Sequence, residues 1–339
     1  MTSDYTTLNI RNRLCYVRKS SSEGLKSVGG VIFDCDGVLI DTRRSYDETI
    51  VQTVEYIMSK LYPKSFDSTV VTPIIIDRFR DSGGFNNDQN TCYAILLYIF
   101  SKLPREFRAP LRNFVYQDGD PFLNLDRAVR LLAKNRSDSA LPFDVSGLQK
   151  SLLKFASKLD VSGIRLIESK ILEELSKDDY IVEELSGFKN LLLYPGKVDE
   201  SLLATVFDEI FYGPKLFSEL HQRNPRLGLS KGLIEDEEII VRRETMEKLE
   251  KRFGSRHLVL VTGRSLLATR FTLKELLDFF NLDFSIFIED EERLISKDAI
   301  IGKPDPYSLF SAAEGFDDVS RILYVGDSVE DLVMARNAN

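Results

Sequence analysis

The sequence predicts an α/β protein: a doubly wound parallel sheet with helices on both faces, interrupted by one large, mostly α-helical insertion. Three observations carry this. Short β-branched and aromatic runs at residues 31–33, 258–261 and 322–325 each stop at once in a polar loop, as buried parallel strands do. Helix-periodic segments separate the later runs, and strands alternating with helices imply right-handed crossovers within one sheet. Between the first run and the others the periodicity is helical again and again.

Taken in order, residues 1–27 are polar and end near the Ser-rich stretch 20–22, which reads as a leader or an edge element. The core is expected over residues 28–41 and 239–339, with a helical cap domain over 42–238. Ile50, Val51, Val54, Ile57, Met58 and Leu61 recur at helical spacing; Ser45 is the expected N-cap, with Asp47 and Glu48 in the first turn. Further helices are expected over 91–103, 126–134, 148–159, 165–175 and 201–211. The resumed core should bring a helix over 242–252, a strand over 258–261, a helix over 273–280, and strands over 285–288 and 322–325.

Composition narrows the function. The 339 residues carry 45 basic and 53 acidic side chains, a net charge of −8, so no positive field recommends nucleic acid or an anionic membrane as partner. Cys15, Cys35 and Cys92 are widely spaced and odd in number, against a disulfide framework and for a reducing compartment. No apolar stretch follows a basic start, and no apolar run approaches the roughly 18 residues of a membrane span. A cytoplasmic location is expected.

In open parallel sheets, ligands gather outside the carboxyl ends of the strands. The polar residues there are Asp34 and Asp36, Thr262, and Asp327. Crowded carboxylates repel one another unless a hard divalent cation neutralises them, and oxygen ligands without His or Cys point to Mg2+. Asp34, at the strand tip, can then attack phosphorus and form an aspartyl phosphate, with Asp36 as the acid-base group. Thr262 with the backbone N–H groups beside it, Gly263 among them, and Lys303 can hold the phosphoryl oxygens.

The segments FDCDGVLIDT, LVTGR, GKPDP and VGDSVED together resemble the four ordered motifs of the haloacid dehalogenase (HAD) superfamily of phosphatases and phosphotransferases. The resemblance covers residues 28–44 and 239–339 and implies a Rossmann-like core. It implies Asp34 as nucleophile, Asp36 as acid-base residue with its backbone carbonyl on magnesium, Thr262 and Lys303 on phosphate, Asp327 as metal ligand and Asp331 as an outer-shell carboxylate. The insertion follows the first motif, the place of a C1-type cap in this family. In its segment RFRDSGGFNNDQN, Gly83-Gly84 can supply a flexible bend while Asn86, Asn87 and Asp88 offer polar contacts to a leaving group; the segment resembles a cap loop of a branch labelled histidinol-phosphatase-like or phosphoglycolate-phosphatase-like.

The resemblance thus implies a Mg2+-dependent phosphatase acting on a small phosphorylated metabolite. The alternatives are a phosphomutase on the same core, or a non-catalytic binding or assembly module that kept the fold. The insertion is about twice the length of a compact helical cap, so part of it is expected to serve dimerisation or an additional lid. Relatives usually continue past the last helix with a further strand, so the chain is expected to be cut at Asn339 or to have a short core. Blander readings stand beside several residues. Asp331 suits the first turn of a helix equally well, Asn86 to Asp88 suit an Asx-type turn, and Arg78 and Arg80, which could steer phosphate, are expected rather to solvate a helix end. The acidic run 235–238 reads as a solvated face. Cys35 reads as packing, and His221 and His257 as structural.

Overall fold

The computed structural model describes residues 4–10, 12–63, 66–85, 87–117, 119–134, 144–175, 180–290 and 303–339. The chain divides into two compact units, one formed by Met1–Thr42 with Glu237–Asn339 and the other by Arg43–Asp236.

The first unit begins with an antiparallel hairpin of β1 (Tyr5–Ile10) and β2 (Arg13–Arg18), with most of its residues exposed, and a short helix α1 (Ser22–Ser27). The chain then enters β3 (Gly30–Phe33), which lies between β6 (Leu258–Leu260) and β7 (Ile322–Val325) and is parallel to both. Successive strand residues point to opposite faces, and both faces are buried. Val31, Phe33, Leu258 and Leu260 pack with Leu277 and Phe280 on one side. Ile32, Val259 and Val261 pack with Leu309, Phe316 and Met334 on the other. This double burial is why the strands lack polar alternation.

Two short strands, β4 (Ile40–Asp41) and β5 (Glu238–Ile239), pair antiparallel where the chain leaves and re-enters this unit. Its helices after the return include α11 (Arg243–Phe253), α12 (Leu266–Leu273), α13 (Tyr307–Ala313) and α14 (Val329–Asn337).

The second unit holds helices α2 (Arg43–Leu61), α3 (Pro73–Arg80), α4 (Asp88–Lys102), α5 (Arg105–Arg108), α6 (Pro121–Lys134), α7 (Val145–Ala156), α8 (Ile167–Glu174), α9 (Ile181–Leu192) and α10 (Leu202–His221). Helix α4 is buried without a break from Thr91 to Ser101, which marks it as the central helix of its unit. It contacts α2, α7, α9 and α10. Pro214 lies inside α10, which kinks at Gly213, since proline removes a helical donor and crowds the preceding turn. No described helix is long and apolar enough to cross a membrane.

Several expectations need correction. Ser45 is not an N-cap: α2 starts at Arg43, and Ser45 is fully buried in its first turn. The strand expected over 285–288 is reduced to a single parallel bridge between Ile286 and Val261, held by Ile286 N–H to Leu260 O at 2.8 Å and Thr262 N–H to Ile286 O at 3.0 Å. The helix expected over 273–280 is the end of α12 followed by 3-10 turns over Lys274–Phe279. Lys274, at φ 52°, breaks the helical run. Arg80 does not solvate a helix end but is paired to Asp47 at 2.6 Å and to Asp88 at 2.8 Å.

Candidate active site

The three parallel strands end on one edge of the sheet and deliver Asp34, Thr262 and Asp327 there, the position where open α/β sheets bind ligands. Asp34 extends the ladder by one step through its N–H to Val325 O at 2.8 Å. The chain then folds into a tight loop in which the N–H groups of Leu39 and Ile40 reach Cys35 O at 2.8 and 3.1 Å.

Asp34, Asp327 and Asp331 each place a carboxylate oxygen within 4.8 Å of the others. Lys303 enters this cluster: its Nζ is 2.9 Å from Asp34 Oδ1 and 2.7 Å from Asp331 Oδ1. Burial pushes the Asp34 carboxyl up to about 7 despite Lys303, with repulsion from Asp331 and Asp36 adding to the rise. Burial also raises Asp327, with Asp331 reinforcing it. Asp331 goes the other way. Its burial is outweighed by Lys303 and by hydrogen bonds from Lys303, Tyr324 and Ser328, which hold its carboxyl below the usual range. For Lys303, burial works against the charge, yet the two carboxylates hold its pKa above the usual value.

Asp331 takes the first-turn helix position expected of it. It closes a capping box with Ser328 at the start of α14, where Ser328 Oγ donates to Asp331 Oδ2 at 2.7 Å and accepts from Asp331 N–H at 3.1 Å. The hydroxyl of Tyr324 donates to Asp331 Oδ1 at 2.6 Å. A carboxylate so fully engaged is poorly placed to ligate a cation, so Asp34 and Asp327 are the oxygens left for one. Two carboxylates without thiol or imidazole suit a hard divalent ion.

Thr262 is 1% exposed, and its hydroxyl oxygen accepts the Arg264 N–H at 3.2 Å, leaving the hydroxyl hydrogen to donate. Gly263 is exposed beside it. In the helical unit, Asn87 is the N-cap of α4, its side chain accepting from Asn90 N–H at 3.0 Å; Asn86 lies outside the described residues. Cys35 is fully buried in the core, and burial pushes its thiol well up.

Sequence reading missed Arg264 and Glu237. The Asp36 carboxylate accepts from Arg264 Nη1 at 2.9 Å, and the same guanidinium grips Glu237 at 3.0 and 2.5 Å. Glu237 thus departs from the solvated face expected for the run 235–238: its side chain is wholly buried. Arg264 had a visible signal, since it follows Thr262-Gly263 in the loop that stops β6. Glu237 had none, because nothing local distinguishes it from Glu235 or Glu238.

Residues 232–339 match the hydrolase family described as haloacid dehalogenase-like hydrolase. That segment contributes two of the three sheet strands, and it belongs to this class of hydrolase domain. Two solved structures share the fold. One, determined by a structural-genomics consortium, is 22% identical, with a TM-score of 0.60 and coverage of 91% of this chain and 88% of its own. The other, phosphatase Tt82 from Thermococcus thioreducens, is 21% identical, with a TM-score of 0.50 and coverage of 91% and 86%. No curated protein matches the chain.

Proposed function

We propose that the chain is a Mg2+-dependent phosphatase that hydrolyses a small phosphorylated metabolite through an aspartyl phosphate on Asp34. The observation that carries this is the cluster itself: a buried carboxylate at the tip of the central strand, 2.9 Å from Lys303 Nζ and grouped with Asp327 and Asp331. The hydrolase family match over 232–339 and the phosphatase among the similar folds support the same reading.

Asp34 and Asp327 would hold Mg2+, with the Asp36 backbone carbonyl beside them. The bound ion supplies charge that keeps Asp34 ionised and screens it from an anionic substrate. Asp34 attacks phosphorus, the P–O bond to the alcohol breaks, and Asp36 gives the departing oxygen its proton. Asp36 then takes a proton from the water that attacks the acyl phosphate, which restores Asp34 and releases inorganic phosphate. Lys303, the Thr262 hydroxyl and the Gly263 N–H hold the phosphoryl oxygens while charge moves among them. Substrate choice falls to the helical unit, inserted between Thr42 and Glu237.

The test is phosphate release from an activated aryl phosphate and from a panel of sugar, glycolyl, amino-alcohol and nucleotide monophosphates, with and without chelator and with Asp34→Asn in parallel. Turnover that disappears under chelation and in Asp34→Asn is expected. A folded wild type silent on every ester overturns the proposal.

A further inference from the structure

We propose that Arg264 is a positioning residue that holds the Asp36 carboxyl in its acid-base orientation, and that Glu237, where the chain re-enters the core unit, holds Arg264 in turn. The inference rests on the reading of Asp36 given above. Its basis is the geometry of one buried guanidinium. Nη1 donates to Asp36 Oδ1 at 2.9 Å and to Glu237 Oε1 at 3.0 Å. Nη2 donates to Glu237 Oε2 at 2.5 Å and to Thr272 Oγ1 at 3.0 Å. Thr272 closes the ring by donating to Glu237 Oε2 at 2.7 Å.

The paired contact with Glu237 is the strong, planar mode of arginine recognition. It neutralises the guanidinium and fixes its plane with no help from Asp36. The contact to Asp36 is therefore not needed to satisfy the charge. It reaches outward from side chains that are 1% and 0% exposed to one that is 29% exposed, in the loop that follows the nucleophile. A group that gives a proton in one step and takes one in the next must return to the same place each time, since about an ångström of misplacement costs on the order of a hundredfold in rate. A rigid donor against Oδ1 restrains the carboxyl in this way. Lysine at 264 would supply the charge but not the fork.

Glu237 adds a connection. It is the first residue of the core unit after the helical insertion, and the next two residues form β5, paired with Ile40–Asp41. Ile40 also forms a bridge with Asp36. Through Arg264, the returning segment is joined by side chains to the same loop that it meets by backbone pairing.

The discriminating experiment uses leaving groups. Nitrophenolate departs readily without a proton, whereas an alkoxide needs one. Steady-state kinetics on a nitrophenyl phosphate and on the best alkyl phosphate should be compared for wild type, Arg264→Met, Arg264→Lys and Glu237→Gln. In Arg264→Met we expect kcat on the alkyl ester to fall about a hundredfold and on the aryl ester less than about tenfold, the signature of impaired general-acid catalysis. KM should stay within a few-fold, Arg264→Lys should recover part of the loss, and Glu237→Gln should show the same pattern more weakly. Equal losses on both esters, or a raised KM with kcat kept, overturn the inference.

Crystal structures of wild type and Arg264→Met give a reading without turnover: Asp36 should leave its wild-type rotamer, and an unmoved carboxyl overturns the inference. If Arg264→Met does not fold, Arg264→Lys and Glu237→Gln carry both measurements. A wild type silent on all esters overturns the phosphatase reading, and the position of Asp36 in the variant structures then decides this inference alone.

Discussion

Gly37 and Asp327 meet across the candidate site: a Cβ on Gly37 would run into Asp327 Oδ2, and the backbone there has φ +72°. The conformation strains any L side chain, and its Cβ would have to push the Asp327 carboxylate aside. Gly37→Ala should therefore cost roughly 1–3 kcal/mol in backbone strain and displace a carboxylate proposed to hold the ion. Denaturant unfolding with calorimetric Mg2+ titration checks this. A variant with wild-type stability and Mg2+ affinity contradicts it.

Lys303 stands between Asp34 and Asp331, at 2.9 and 2.7 Å. Removing one partner of a buried charge cluster leaves the others uncompensated, at about 3–5 kcal/mol. Lys303→Met should destabilise the protein by about that amount and lower kcat/KM about a hundredfold or more, because a phosphoryl donor is lost too. Mg2+ should restore part of the stability and little of the activity, as thermal melts and kinetics with and without the ion will show.

Asp34 makes stability depend on pH in a definite direction. Its carboxyl titrates near 7 in the folded protein against 3.8 as the ordinary value, so between these the folded state holds a proton that the unfolded state has lost. Stability in chelator should therefore fall as pH rises from about 4 to 7, by on the order of a few kcal/mol, and this contribution should level off above 7. Asp34→Asn should flatten that slope, and Mg2+, which favours the ionised carboxyl, should oppose it. An identical slope in wild type and Asp34→Asn, read from urea unfolding at several pH values, contradicts the assignment.

The helical unit has its own buried pair. Arg108 Nε lies 3.0 Å from a Glu184 carboxylate oxygen, with the two side chains 5% and 0% exposed, and Arg108 Nη1 donates to Ser101 O at 2.9 Å. Arg108→Met should cost about 3–5 kcal/mol, whereas Arg108→Met with Glu184→Leu should recover most of it. Chemical denaturation of the single and double variants checks this, and full additivity would contradict it.

What the sequence determined by itself was local. The apolar run at 322–325 became a strand with those bounds, because a short apolar stretch between polar loops has few other ways to draw its side chains out of water. The strand-ending acids Asp34 and Asp327 were legible for the same reason. The same logic overreached at 285–288, where the chain makes a single bridge, and at 273–280, where 3-10 turns replace the helix. There the packing of Leu276, Leu277, Phe279 and Phe280 into the core decided the backbone, and apolar periodicity does not distinguish two tight helical forms.

Only the tertiary structure decided the partners. Asp36 and Arg264 are 228 residues apart in sequence, and Glu237 is one of four neighbouring acids, yet a single guanidinium selects it. Such pairings are set by sheet register, which brings the ends of β3 and β6 together, and by burial, which makes an unpartnered charge too costly to keep. Neither quantity exists until the chain is folded, so no local pattern could join Arg264 to Asp36 or single out Glu237 among its acidic neighbours.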